Sequence, residues 1–233
     1  MIASPPNMTV VDCLKEFIHY SEIKQSAHKI ATLQQKKKFH SLAVLSFFPS
    51  EGKTLFCATL AMAYAETHET RVLVIDTTTQ QNKSSLDLRE CLDESNPRVD
   101  VLSLAKLRKS SNGHSLPSAT DFESGNESVL EPDIMPDGTT TLSSLKKNYL
   151  SLIKKETAER SKQYGLVLLD TTPLNAKNKS NVDPMLVAHM ADASVLLVSR
   201  KLLESPNLDD CLKVLKDPTL HLIGMIANEE FTP

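Results

Sequence analysis

Gly52, Lys53 and Thr54 follow one another directly and are the residues in this sequence best suited to chemistry. A glycine lets the backbone approach an anion without a Cβ in the way. In phosphate-binding loops the lysine reaches the terminal phosphates as a point charge, and the threonine hydroxyl is a ligand of Mg²⁺. These residue types in this order indicate a site for a nucleotide, with ATP or ADP and Mg²⁺ as the expected cofactors.

Two predicted elements position these residues. Residues 42–45 have the character of a buried strand, and residues 55–65 are apolar nearly all round, as in a buried helix. Strand, tight loop and helix form the arrangement of a phosphate-binding loop (P-loop), in which the helix N-terminus presents unpaired N–H groups to an anion. The general pattern expects a further glycine where this chain has Phe47. The flanking elements favour a P-loop over the alternative, a chance helix start with a solvated lysine.

Two further apolar segments end in a carboxylate. Residues 71–76 end at Asp76, and residues 166–170 end at Asp170. Magnesium in nucleotide sites is held by one or two carboxylates together with substrate phosphates. We interpret Asp170 as an acid of the Walker B type, delivered near the metal by an apolar strand. The alternative is an aspartate at an ordinary strand-to-loop corner, and the upstream P-loop favours the metal site.

Strands and helices alternate along the chain. The predicted strands are apolar on both faces and lie at 42–45, 71–76, 99–104, 166–170, 193–198 and 220–227. This pattern predicts an α/β fold with a mostly parallel twisted sheet that helices cover on both faces. Ligands of such sheets bind beyond the carboxyl ends of the strands. Four candidate residues lie at or just past those ends: Ser46, Asp76, Asp170 and Asn228.

The sequence predicts two parts and one long loop. Residues 1–40 are polar, with apolar positions at helical spacing, and predict a helical segment. Those positions are Val10, Val11, Leu14, Phe17 and Ile18, then Ile23, Ala27, Ile30 and Leu33. Residues 41–233 are expected to form the nucleotide-binding domain. Within it, residues 109–140 have few large apolar side chains and many turn-forming residues, which predicts a functional or mobile loop.

Composition and charge exclude several classes of protein. The 233 residues are 40% hydrophobic and 24% charged, which suits a packed core. A net charge of −3 and a pI of about 6.2 give no general attraction to nucleic acid or acidic membranes. No apolar run approaches the roughly 18 residues of a membrane helix. The four cysteines lack metal-binding spacing, which suits a reducing compartment. We expect a cytoplasmic protein without a nucleic-acid partner.

Three motifs together resemble those of the bacterial tyrosine kinases (BY-kinases), the ATPase domains of capsule and exopolysaccharide export systems. The motifs are Pro49–Thr54, Val72–Asp76 and Leu168–Pro173, and they follow the order of the family. With MinD and ParA, this family belongs to the deviant-Walker group of P-loop NTPases. The resemblance covers roughly residues 40–230 and implies the fold of that group.

The resemblance also implies roles for individual residues. It assigns catalysis to Lys53, Asp76 and Asp170. It assigns the magnesium ligands to Thr54, Asp76 and Asp170. It assigns nucleotide binding to Ser50, Glu51, Gly52, Lys53, Thr54 and Asn228. Asn228 directly follows the last predicted strand, at the position where the family's asparagine often contacts adenine. We expect the Glu51 side chain to point out from the loop.

This sequence departs from the family at several positions. Ser50 replaces a loop glycine, and Thr78 stands where the second acid of the second motif belongs. A threonine carries no negative charge and is no base near neutral pH. Gln25 and His28 replace both arginines of the family's N-terminal assembly motif. No tyrosine follows Tyr164, so we expect no autophosphorylation of a tyrosine tail.

The sequence therefore predicts a BY-kinase-like P-loop protein that assists or regulates bacterial exopolysaccharide or capsule biosynthesis and export. Its expected activity is that of a weak ATPase or a degenerate tyrosine kinase. Its expected partner is the cytoplasmic segment of a membrane polysaccharide co-polymerase or export protein, which recruits it to the inner membrane, and it is a candidate homo-oligomer. Two alternatives stay open. One is a positioning ATPase of the MinD/ParA type, although residues 47–48 lack that type's extra lysine. The other is a non-catalytic interaction module that retains the fold.

Overall fold

The computed structural model describes most of the two predicted parts. The described residues are 18–78, 92, 97–104, 142–160, 162–175, 182–199, 202, 205–206, 209, 213 and 216–228, with the backbone alone at 142–149. Two sequence predictions lie outside them: the helical positions 10–17 and the polar loop 109–140. The division at residue 40 stays a prediction.

Ten helices and strands make up the described part of the chain. In order they are α1 (Ser21–Lys37), β1 (Ser41–Ser46), α2 (Lys53–His68), β2 (Val72–Asp76), β3 (Val99–Ser103), α3 (Leu142–Arg160), β4 (Leu166–Asp170), α4 (Pro184–Met190), β5 (Ala193–Ser199) and β6 (Leu222–Asn228). Proline at the first position of α4, with Asp183 accepting a hydrogen bond from the Met185 N–H, is a favourable helix start.

The six strands form one sheet in the order β3-β2-β4-β1-β5-β6, and every described pairing is parallel. The predicted α/β fold with a parallel sheet is therefore confirmed. Strand β1 lies between β4 and β5, so the segments that follow these three strands emerge side by side. Strands β2 and β6 extend the same carboxyl edge on either side.

Alternate residues of the strands enter two separate hydrophobic cores. Leu42 and Val44 of β1 face the core beneath α1 and α2, whereas Ala43 and Leu45 face the core that includes Ile153 of α3 and residues of α4. Period-two alternation with apolar residues on both faces is what a sheet covered on both sides requires. The two layers of helices hold the carboxyl edge of the sheet in place.

Helix α1 is fastened to the body of the protein by packing and by hydrogen bonds. Ala27, Ile30 and Ala31 are buried against the core beneath α2. Gln34 accepts a hydrogen bond from the Tyr64 hydroxyl of α2 and donates one to the Gly165 carbonyl over 2.6 Å. None of the helices in the described ranges is long and apolar enough to cross a membrane.

Candidate nucleotide-binding site

The loop between β1 and α2 has backbone conformations that explain its residue types. Gly52 precedes α2 with φ of +85°, a conformation that residues with a Cβ rarely adopt, and a Cβ there would lie 2.7 Å from Asn228 Nδ2. Any other residue would be strained and would displace the Asn228 side chain. Ser50 also has positive φ, at 63°, the left-handed conformation that glycine adopts most easily. Phe47 has no such conformation, and its ring is buried in the core beneath α3 and α4. The glycine missing at position 47 is therefore not required by the backbone.

Lys53 lies buried at the start of α2 and faces back along the loop. Its Nζ donates a hydrogen bond of 2.7 Å to Ser46 Oγ, and that hydroxyl donates to the Phe48 carbonyl. Burial lowers the pKa of Lys53 below its ordinary value, although the negative charge of Asp170 acts in the opposite direction. The predicted phosphate-binding lysine thus sits inside the loop, with its ammonium held by the last residue of β1.

Thr54 and Asp170 meet at the centre of the site. The Thr54 hydroxyl donates a hydrogen bond of 2.7 Å to Asp170 Oδ2. The other carboxylate oxygen, Oδ1, is buried without a hydrogen-bond partner among the described residues. Burial raises the pKa of Asp170 to about 7, against the opposing effects of Lys53 and the Thr54 hydroxyl. A desolvated carboxylate with an unpartnered oxygen is suited to receive a cation.

Asp76 lies directly beside Asp170 in the register of β2 and β4. Its Oδ1 accepts hydrogen bonds from the Thr78 N–H at 2.9 Å and from the Thr78 hydroxyl at 2.6 Å. Its Oδ2 accepts a bond of 3.2 Å from the Ser103 hydroxyl at the end of β3. The residue that replaces the second acid therefore holds the first one in place.

The oxygen atoms gathered here are suitable ligands for a magnesium ion. Thr54, Asp76 and Asp170 offer hydroxyl and carboxylate oxygens, which are the ligands that Mg²⁺ prefers, and phosphates normally complete its coordination. The buried, unpartnered Oδ1 of Asp170 is the most direct sign of such a ligand. Across the described residues there is no group of three or more His, Cys, Asp or Glu side chains that could hold a metal ion.

The expectation that Glu51 points out from the loop is wrong. Its side chain is only 4% exposed. Its Oε2 accepts a hydrogen bond of 2.8 Å from the Phe48 N–H, and its Oε1 accepts one of 2.5 Å from the Ser199 hydroxyl. Asn228 donates from Nδ2 to the Glu51 carbonyl over 2.9 Å, so it contacts the loop itself. Its predicted contact with adenine stays a prediction.

The structure thus brings most of the predicted site residues together and adds others. Residues from the loop, β2, β4 and β6 meet at one edge, as expected from parallel strands. Ser103 and Ser199, which sequence analysis did not assign to the site, each end a strand and bond a site residue. Position at a strand end was the one signal available for them. Thr77 joins β2 to β4 by donating from its N–H and hydroxyl to the Asp170 carbonyl.

Comparison with known proteins gives similarity at the level of fold. No family model and no curated protein matches this sequence. Among solved structures, the kinase domain of the Escherichia coli tyrosine kinase ETK is 15% identical with a TM-score of 0.56, over 89% of this chain and 74% of that chain. The BceF tyrosine kinase domain is 16% identical with a TM-score of 0.54, over 89% and 76%. The VpsO kinase domain is 15% identical with a TM-score of 0.51, over 93% and 98%. The chain has the fold of these kinase domains.

Proposed function

We propose that this chain is a P-loop protein that binds ATP or ADP together with Mg²⁺ at the carboxyl edge of its sheet. The observation that carries the proposal is the geometry at the start of α2, where Lys53 bonds Ser46 at the end of β1 and Thr54 bonds Asp170 at the end of β4. The lysine charge and the N-terminus of α2 suit the nucleotide phosphates. The threonine hydroxyl and the aspartate carboxylate suit the metal.

Each residue of this group has a task in the proposed complex. The Lys53 ammonium would donate its hydrogen bond to an oxygen of the terminal phosphates instead of to the Ser46 hydroxyl. The N–H groups at the start of α2 would bind the same anion, and Gly52 would keep Cβ atoms out of its way. Thr54, Asp76 and Asp170 would hold Mg²⁺, which supplies positive charge to the phosphates when it is bound. Asn228 would hold the loop beside the base.

A threonine at position 78, in place of an acid, favours a protein with little kinase activity. It brings a hydroxyl, already bonded to Asp76, to the position where the resembling kinases have a second acid. Phosphoryl transfer depends almost entirely on positioning and electrostatics, so the loss of a charged group lowers the rate strongly. We propose slow ATP turnover without autophosphorylation on tyrosine. A non-catalytic interaction module that binds nucleotide is the second candidate, and Thr78 favours it as well.

The biological setting that we propose follows the sequence resemblance and the fold shared with tyrosine kinase domains. In this setting the protein assists or regulates exopolysaccharide or capsule biosynthesis and export. It works in the cytoplasm, where the cytoplasmic segment of a membrane co-polymerase or export protein recruits it to the inner membrane.

Incubation with Mg²⁺ and ATP labelled on its γ-phosphate tests this proposal. Retained nucleotide, released phosphate and phosphotyrosine are measured for the parent and for Lys53→Ala. We expect the parent to retain nucleotide, to release phosphate slowly and to gain no phosphotyrosine. Lys53→Ala should retain nucleotide at least about tenfold more weakly, because it loses a charged hydrogen bond to phosphate.

Lys29→Ala is the matched control, since Lys29 is exposed on α1. It should behave as the parent does. A parent protein that retains no nucleotide would overturn the proposed function. Strong phosphotyrosine formation by the parent would overturn the proposed loss of kinase activity while leaving nucleotide binding intact.

A further inference from the structure

The buried carboxylate of Glu51 has no role in the proposed chemistry as described so far. It belongs to the loop that is proposed to bind phosphate, and a negative charge there opposes an anionic ligand. A buried carboxylate is also unfavourable unless its oxygens are hydrogen-bonded. Because of these two unfavourable effects, the position of Glu51 inside the loop needs a favourable interaction that offsets them.

Three donors satisfy this carboxylate. The Phe48 N–H bonds Oε2 from within the loop at 2.8 Å. The Ser199 hydroxyl and N–H bond Oε1 from the end of β5, at 2.5 and 3.3 Å. Hydrogen bonds to an ionised acceptor are about twice as strong as neutral ones. Glu51 thus ties the start of the loop to its end and both of them to β5.

The backbone of the same residue is held from the neighbouring strand. Asn228, at the end of β6, donates to the Glu51 carbonyl over 2.9 Å. Ser199 and Asn228 are partners in the parallel register of β5 and β6, so both contacts come from one rigid edge of the sheet. The side chain and the carbonyl of Glu51 are therefore fixed independently of any ligand.

We propose that Glu51 is a positioning residue that sets the curvature of the phosphate-binding loop, and that Ser199 is the partner through which it does so. The carboxylate draws the Phe48 N–H and the β5 end together, which leaves the N–H groups around Gly52 directed to the phosphates. This inference rests on the proposed function. It adds Ser199, which lies 148 residues from Glu51 in sequence, to the determinants of nucleotide affinity.

The test is a calorimetric titration with inorganic pyrophosphate and with ADP. Pyrophosphate probes the loop without the base. The variants are Glu51→Ala, Ser199→Ala and the double substitution. We expect Glu51→Ala to weaken binding of both probes by the same factor, about tenfold or more, and Ser199→Ala to weaken it less, by about threefold to tenfold. The double variant should bind no more weakly than Glu51→Ala, because the bond that joins the two residues is already absent.

Two matched controls separate positioning from general stability. Ser194 is buried at the other end of β5, and its hydroxyl has no partner in the described part of the chain, so Ser194→Ala should bind as the parent does. Glu156 is a buried glutamate of α3 paired with Arg160 over 2.7 Å, so Glu156→Ala should lower the melting temperature without changing affinity. Glu51→Gln keeps one acceptor oxygen and should restore part of the affinity that Glu51→Ala loses.

The outcomes distinguish this inference from the proposed function. A parent protein that binds neither probe contradicts the proposed function. A parent that binds both, with Ser199→Ala and Glu51→Ala equal to it in affinity, contradicts the positioning role alone. Effects of the two substitutions that simply add in the double variant also contradict it. If Glu51→Ala does not fold, Ser199→Ala decides the question, because it removes one hydroxyl only.

Discussion

At the scale of single residues, the charge of Asp170 is the most consequential property of the site. Burial raises its pKa to about 7, whereas an unfolded chain has the ordinary value of 3.8. Between these two values the folded protein binds more protons than the unfolded protein. The free energy of unfolding therefore decreases as the pH rises through this window, and the contribution levels off above about pH 7.

Asp170→Asn lacks this ionisation and tests its sign. We expect the free energy of unfolding of the variant, relative to the parent, to increase by about 2 kcal/mol between about pH 5 and about pH 8. Urea denaturation with EDTA present, on the nucleotide-free proteins, measures it. A relative stability that does not change with pH would show that the carboxylate ionises normally in the folded protein, and a change in the opposite direction would show that its pKa is lowered.

Residue types in the loop were predictable from sequence only in part. Gly52, Lys53 and Thr54 follow a local pattern whose chemistry is fixed by residue type. The burial of Glu51 was not predictable, because charged side chains are mostly exposed and its partner Ser199 is far away in sequence. Whether Phe47 can replace the glycine of the general pattern was also not predictable from sequence. The answer depends on the backbone at position 47, which is not left-handed.

At the scale of elements, the strand ends converge because their neighbours are parallel. The apolar runs of β2 and β4 made both strands predictable, since strands buried on two faces are apolar throughout. The meeting of Thr54 with Asp170 depends on β4 lying next to β1, and no local pattern in the sequence encodes that order. The sequence thus predicted the elements and their common edge, and the pairing order came from the structure.

Gly165, in the connection from α3 to β4, packs closely against Thr70, in the connection from α2 to β2. A Cβ at this position would lie 2.4 Å from Thr70 Oγ1 and 2.6 Å from Thr70 Cγ2. Gly165→Ala should therefore lower the free energy of unfolding by about 1–3 kcal/mol, as overpacking does. Chemical denaturation measures this effect.

Gly224→Ala provides the control, because a Cβ at that glycine of β6 would meet no atom within 4 Å. It should change stability by less than about 0.5 kcal/mol. Thr70→Ala in the Gly165→Ala background removes two of the three close atoms and should recover most of the loss. Equal stability of Gly165→Ala and Gly224→Ala would mean that the chain at Gly165 and the chain at Thr70 have room to separate.

At the scale of the whole molecule, the two hydrophobic cores fix the carboxyl edge of the sheet, where the candidate site lies. Helices α1 and α2 cover one face of the sheet and α3 and α4 the other, so the carboxyl ends of the strands face outward between them. Loop and strand ends are already bonded to one another without ligand, through Ser46, Asp170 and Ser199. Because these contacts form without ligand, the loop loses less conformational entropy when a nucleotide binds.

The central claim is that nucleotide phosphates bind in the loop between β1 and α2. Hydrogen–deuterium exchange of the protein with and without saturating ADP and Mg²⁺ tests it most directly, with Lys53→Ala measured in parallel. We predict slower exchange in peptides that cover residues 46–56 and 168–175, unchanged exchange in residues 150–160 of α3, and weaker slowing in Lys53→Ala at an ADP concentration that just saturates the parent. Exchange that stays unchanged at the loop, or that slows equally in Lys53→Ala, would contradict the claim.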